Sequence, residues 1–358
     1  MLVHTSLSVG NRYKAWFSCV ILCLTLTRVA AAQKYVQTNL VSDVPGAAAT
    51  LDRHLANAWG IAFNAQSPVW IADNHTGLST LYTGTGSIVP LVVTIPPPNG
   101  GTGSSPTGIV FNGNGGFTVS KSGVSGSSLF IFDTEDGTIS GWSPGVDLHN
   151  AIRAVDNSGT GAVYKGLAIG TTTSGTFIYA TNFNSGWVEI YDSSFQWVKN
   201  FTDMNVPPGY APFGIQNING NLYVTFALQN EAKHDDLRGP GHGFVDVFDL
   251  TGKKLKRLVS RGPLNSPWGL ALAPANFGGL SGALLVGNFG DGRINAFNIT
   301  TGSARGHMFR PDGSNLMIDG LWGLAFGNGA AAGPTNTLLF TAGPDHESHG
   351  LYGRLVAK

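Results

Sequence analysis

The sequence predicts an all-β fold, a six-bladed β-propeller with four strands per blade, on three observations. A short motif recurs six times: "WGIAF" at Trp59, "TGIVF" at Thr107, "KGLAI" at Lys165, "FGIQN" at Phe213, "WGLAL" at Trp268 and "WGLAF" at Trp322. Its glycines, Gly60, Gly108, Gly166, Gly214, Gly269 and Gly323, stand 48, 58, 48, 55 and 54 residues apart, a period that marks a repeat architecture. Each copy leads into runs of alternating apolar and polar residues bounded by Gly, Asn, Asp and Ser, which is the pattern of short strands. Composition agrees, since 50 of the 358 residues are Gly and only 12% are charged, favouring tight turns over salt-bridged helices.

Within each blade the motif forms the first, innermost strand. There Gly lets six backbones crowd around the axis, and Trp59, Trp268 and Trp322 are expected to pack between adjacent blades as scaffold. The second strands read as "PVWIADN", "GFTVSKS", "TFIYATN", "NLYVTFA", "ALLVGNF" and "TLLFTAG". The third read as "STLYTGT", "SLFIFDT", "WVEIYDS", "FVDVFDL", "RINAFNI" and "GLYGRLV", and a more polar fourth often follows a turn such as "TEDG". The sixth repeat is one strand short at the C-terminus. The spare segment, "KYVQTNLVS" (34–42), precedes the first blade and is expected to complete the last one, closing the ring and removing an edge.

Residues 1–32 are set apart as a secretory signal peptide. Arg12 and Lys14 precede the apolar run "AWFSCVILCLTLT", which ends in "RVAAAQ" with small residues before Gln33. The run is too short to span a bilayer, so the expectation is an exported protein, periplasmic or extracellular, with no membrane contact after cleavage. Cys19 and Cys23 both lie in this leader, leaving the propeller, residues 33–358, without thiols, disulfides or Cys-ligated metals. With Arg12, Lys14 and Arg28 also in the leader, 18 basic residues remain against 21 acidic ones, a net charge of −3. No basic stripe points to nucleic acid.

The scarce charge collects on the loops that leave the second strands and enter the first, all on one face. Blade by blade these offer Asp73 and Asn74; Lys121; Asn182; the insertion 229–243 with Lys233, His234, Asp235 and Asp236; Asn288; and His346 beside Glu347. Together they form the candidate binding face of a ring whose loops sit on a rigid scaffold. No cofactor motif is present. Among these donors, Asp73, Asn182 and Asn288 are the carboxylate and amide set that a hard divalent cation such as Ca²⁺ would take. There is no G-x-S-x-G elbow, no H-E-x-x-H and no phosphate loop.

The chain resembles the NHL-type six-bladed propellers, and more closely a family of exported, mainly bacterial propellers. "NAWGIAF", "ADNHTGLSTLY", "YKGLAIG", "YATNFNSG", "AKHDD", "LNSPWGLALAPANFG" and "LLVGNFGDGRINAFN" carry the resemblance. It implies no particular activity. Among more distant relatives are calcium-dependent lactonases, with an acid and amides around a top-face metal, and Asp73, Asn182 and Asn288 occupy comparable strand ends. The lactonase first-strand Glu has no counterpart here. The expected function is a monomeric binding module whose top face recognises a small molecule, glycan or protein. The alternative is a metal-dependent hydrolase or isomerase of the lactonase kind.

Overall fold

The computed structural model describes residues 1–7 and 34–358. The expected leader cleavage and both cysteines fall outside the described residues. Residues 34–358 form a ring of six four-stranded antiparallel blades, as the six-fold repeat requires. The first strands are Ala58–Ala62, Pro106–Phe111, Tyr164–Thr172, Tyr210–Ile218, Pro267–Leu272 and Leu321–Phe326. Each is followed outward by three further strands.

The ring closes as expected. Strand Tyr35–Ser42 pairs antiparallel with Leu351–Ala357 and becomes the fourth strand of blade 6, with Tyr35 opposite Ala357 and Ser42 opposite Leu351. A short parallel addition, Thr50–Leu51, covers part of its outer edge. Tyr35, Leu40 and Val41 are each no more than 3% exposed, so the strand also supplies core.

All six first strands carry a register shift beside the repeated Gly, for instance between Ala58 and Ile61 and between Pro267 and Leu270. The Gly of one blade meets the first strand of the next. A Cβ on Gly60 would overlap the Thr107 carbonyl, on Gly108 the Leu167 amide, on Gly214 the Trp268 carbonyl and on Gly269 the Trp322 carbonyl. On Gly323 it would overlap the Trp59 carbonyl, which brings the ring back to its start. Close approach, not a left-handed backbone, is therefore what requires Gly here. Gly214→Ala is expected to lower stability by about 3 kcal/mol through overpacking. Gly145→Ala, with nothing within 4 Å of the new methyl, should change it by less than about 0.5 kcal/mol. Chemical denaturation of both variants reads the contrast.

Apolar residues form one cluster in each of the six seams between blades, and a seventh on the axis. Here the tryptophans depart from expectation. Trp59, Trp268 and Trp322 do not wedge between blades but converge on the axis with Phe183, Phe213 and Phe289. The register shift turns the residue before each Gly inward, so the same motif position gathers from several blades at one point.

Blade 2 also departs from expectation. Its second strand is Phe130–Thr134, paired with Pro106–Phe111, and its third and fourth are Thr138–Trp142 and Ile152–Asp156. The segment expected as second strand instead forms a separate hairpin, Thr118–Lys121 with Val124–Ser127. Phe130, Ile131 and Phe132 are buried on both faces of the blade, whereas Thr118–Lys121 buries only Val119. The longer apolar run wins the inner position.

Candidate functional site

One end of the axis is capped by an aromatic floor. Trp322 stacks on Trp59 with ring centroids 3.4 Å apart, and on Phe289 at 3.9 Å. Trp268 meets Trp59 and Trp322 edge-on at 5.9 and 5.7 Å. The starts of the first strands and the ends of the second strands surround this stack, the face the sequence marked out.

Above the floor lies a hydrogen-bonded charge network drawn from five blades. Lys165, the only charged residue at the motif position held elsewhere by Trp, Phe or Thr, is 2% exposed. Its ammonium lies 5.2 Å from the Trp59 ring centroid and pairs with Glu135, which follows the second strand of blade 2. It also reaches Asp235 of the blade 4 insertion at 3.4 Å. Asn74 Nδ2 donates to Glu135 Oε2 at 2.8 Å. Asn57 Nδ2 donates both to Asn74 Oδ1 at 3.2 Å and to Glu347 Oε1 at 3.1 Å. The Trp322 indole donates to Asn57 Oδ1 at 3.3 Å, and the Trp268 indole to the Lys165 carbonyl at 2.8 Å, so floor and network are tied together. Arg238 lays its guanidinium 4.1 Å from the Phe289 centroid at the rim. The Trp59 indole N–H is buried with no partner among the described residues.

The electrostatics follow from crowding. Burial pushes the Lys165 pKa down, but Glu135 and Asp235 outweigh it and hold the ammonium charged, with a net upward shift. The His234 ring, 2.9 Å from Asp235, is raised mainly by that hydrogen bond, and Asp235 is lowered by it in turn. Burial lifts the Asp236 carboxyl. Burial also lifts Glu347, to about 7, against the Asn57 donor and with added repulsion from Glu135. Glu347 arrives on a turn in which Asp345, His346 and Glu347 all have left-handed backbone, φ 54°, 53° and 68°. Each such non-Gly residue costs roughly 1–2 kcal/mol, and strain of this kind collects at functional sites.

The Glu347 shift has a sign that can be measured. The folded state keeps its proton up to about pH 7 while the unfolded chain releases it near 4.5. Stability from this group is therefore greatest below that lower value and is lost as pH rises through the window. Glu347→Gln should lose less melting temperature than wild type between those two pH values. Equal slopes for the two proteins in calorimetry would contradict the assignment.

Of the residues expected at this face, Asn74, His234, Asp235 and Asp236 belong to or border the network, while Lys233 and His346 stay exposed on the rim. The proposed metal trio does not converge. Asp73 is fully buried beside Thr80, Tyr82 and Asp52, where burial raises its pKa well above normal. Asn182 donates to Glu189 at 2.8 Å, and Asn288 to the Pro263 carbonyl and to Asp291 at 2.8 and 3.0 Å. Strand alternation turns these three side chains away from the axis, the neighbouring position pointing inward instead. Lys121 sits on the blade 2 hairpin and pairs with Asp147 at 2.6 Å, apart from the mouth. Asn57, Glu135 and Lys165 join the network from outside the residues expected at this face. Lys165 was recoverable as the charged exception among six equivalent positions, and Glu135 was hidden by the strand slip in blade 2.

Two uncharacterized proteins of Acanthamoeba polyphaga mimivirus align with most of the chain. One is 35% identical over 326 residues, covering 88% of this chain and 78% of the relative. The other is 35% identical over 332 residues, covering 88% and 84%. The chain belongs to the family of these mimivirus proteins. No protein-family model matches it, so neither the NHL resemblance nor the kinship with exported, mainly bacterial proteins gains support. Among solved structures, virginiamycin B lyase from Staphylococcus aureus superposes with a TM-score of 0.52 at 13% identity, covering 90% of this chain and 99% of that one. A streptogramin B lyase gives 0.52 at 11%, covering 90% and 97%. At such identity the likeness shows the propeller fold alone.

Proposed function

We propose that this protein is an exported, monomeric binding module whose recognition surface is the axial mouth. Its ligand is a small polar molecule that offers donors to Glu135, Asp235 and Glu347 and a flat or apolar face to the aromatic floor. The observation that carries this reading is the Lys165 ammonium buried between two carboxylates directly over Trp59. A buried ion pair contributes little net stability compared with apolar packing, so its presence at the axis speaks for recognition. The unpartnered Trp59 N–H is a buried donor whose lost hydration a ligand acceptor reaching the axis would offset.

A fragment library screened by saturation-transfer NMR tests it. Polar aromatic fragments should bind the wild type and lose binding in the Lys165→Met/Glu135→Gln variant. An unchanged hit list would sink the reading.

A second reading, a metal-assisted hydrolase or isomerase, is favoured by Glu135, His234 and Asp235, whose donor atoms lie within 4.8 Å of one another. Carboxylate and imidazole donors suit a divalent transition ion, but Lys165 would have to leave the carboxylates first. Elemental analysis and a Mn²⁺ or Zn²⁺ thermal shift that disappears in His234→Ala would move the balance to this reading.

A further inference from the structure

On the wall of the ring, away from the axis, a cavity of about 440 Å³ opens between the outer strand of blade 2 and the third and fourth strands of blade 3. Trp197 stands at its edge with 58% of its surface exposed, and no other Trp or Phe of the described residues is as exposed. A large apolar ring left in water beside a cleft points to a partner.

The floor of the cleft is polar and held in place. Glu189 Oε2 accepts from the Tyr164 and Tyr191 hydroxyls at 2.7 and 2.6 Å, and its Oε1 accepts from Asn182 at 2.8 Å. Asn157 Nδ2 donates to both tyrosine hydroxyls at 2.7 Å. With its amide group fixed in this way, Asn157 Oδ1 has no donor among the described residues. Asp156 and Thr160 complete the polar edge. The cleft therefore combines a free aromatic face with acceptors locked in orientation, the usual make-up of a specific small-ligand site.

That combination matches a sugar ring. The C–H faces of a pyranose lie flat on an indole, while its hydroxyls donate to carboxylate and amide oxygens. Asp156 is already paired with Arg153 at 3.3 Å, but Glu189 has only neutral hydrogen-bond partners, and its charge disfavours an anionic saccharide by like-charge repulsion. We propose that the groove between blades 2 and 3 binds a neutral oligosaccharide, with Trp197 as stacking platform and Asn157, Asp156 and Glu189 as hydroxyl acceptors. This site is separate from the axial mouth, and neither depends on the other.

The test is a titration of the full chain, followed by ¹H–¹⁵N indole NMR, with cellohexaose, chitohexaose and maltohexaose at millimolar concentration. A polygalacturonate hexamer serves as the anionic counterpart, and the Trp197 peak is identified by its loss in Trp197→Ala. At least one neutral sugar should shift that peak saturably. Its affinity, measured by calorimetry, should fall by at least about tenfold in Trp197→Ala, the scale of a lost aromatic anchor. The melting temperature of the variant should stay put, because the side chain is mostly in water. The proposal is overturned if no neutral sugar binds, if binding survives Trp197→Ala, or if the anionic hexamer binds equally well. A Trp197 peak that moves with protein concentration alone would instead assign the groove to a second copy of the chain.

Discussion

Deleting residues 34–42 should abolish the cooperative unfolding transition of this protein. The segment pairs along its whole length with Leu351–Ala357 and buries Tyr35, Leu40 and Val41. At roughly 1.5–3 kcal/mol per buried side chain, these three alone contribute about 5–9 kcal/mol. Domains of this kind have a total stability of about 5–15 kcal/mol, so the loss is comparable to the whole. The truncation also frees the edge of blade 6, and an unpaired strand edge recruits other chains. Loss of the near-ultraviolet dichroism signal together with aggregation is the expected result. A melting curve like that of the intact protein would show that the ring does not need its terminal closure.

The second large effect is at Lys165. Lys165→Met should destabilise the protein by about 3–5 kcal/mol, because it leaves a carboxylate in a buried site without its counter-charge. Glu135 is 13% exposed at its side chain and cannot turn to water cheaply, whereas Asp235 at 61% can. The cost therefore falls mainly on Glu135. Denaturant titration near neutral pH should show it. A change under about 1 kcal/mol would mean the pair is already solvated.

How far the molecule could be read from its residues depends on which forces leave a local mark. The repeated Gly does, because a backbone contact in every blade tolerates no Cβ, and its six copies laid out the ring. Closure was legible for the same reason: one strand was missing at one end and one was spare at the other. The hairpin in blade 2 was not, because "GFTVSKS" alternates well enough to pass for a strand, and only competition for the place beside Pro106–Phe111 excludes it.

That single slip displaced the "TEDG" turn to the wrong end of the blade and with it Glu135. The candidate face itself was marked by its concentration of charge, and Asn74, His234, Asp235 and Asp236 do lie there. Asp73, Asn182 and Asn288 were misplaced by one residue of strand alternation, which turns a side chain from axis to seam. Lys165 carried its own signal, a cation where its five counterparts are aromatic or Thr. The groove at Trp197 left none, since it is built from two blades that meet only in space.

Whether the axial charge pair serves recognition or stability is decided most directly by removing both partners together. In Lys165→Met/Glu135→Gln the amide still accepts from Asn74 and no buried charge is left alone. Equilibrium unfolding of that variant should give a stability within about 1 kcal/mol of wild type, while fragment binding at the mouth disappears. A double variant as unstable as Lys165→Met alone, with its fragments still bound, would show that the network exists to hold the propeller together.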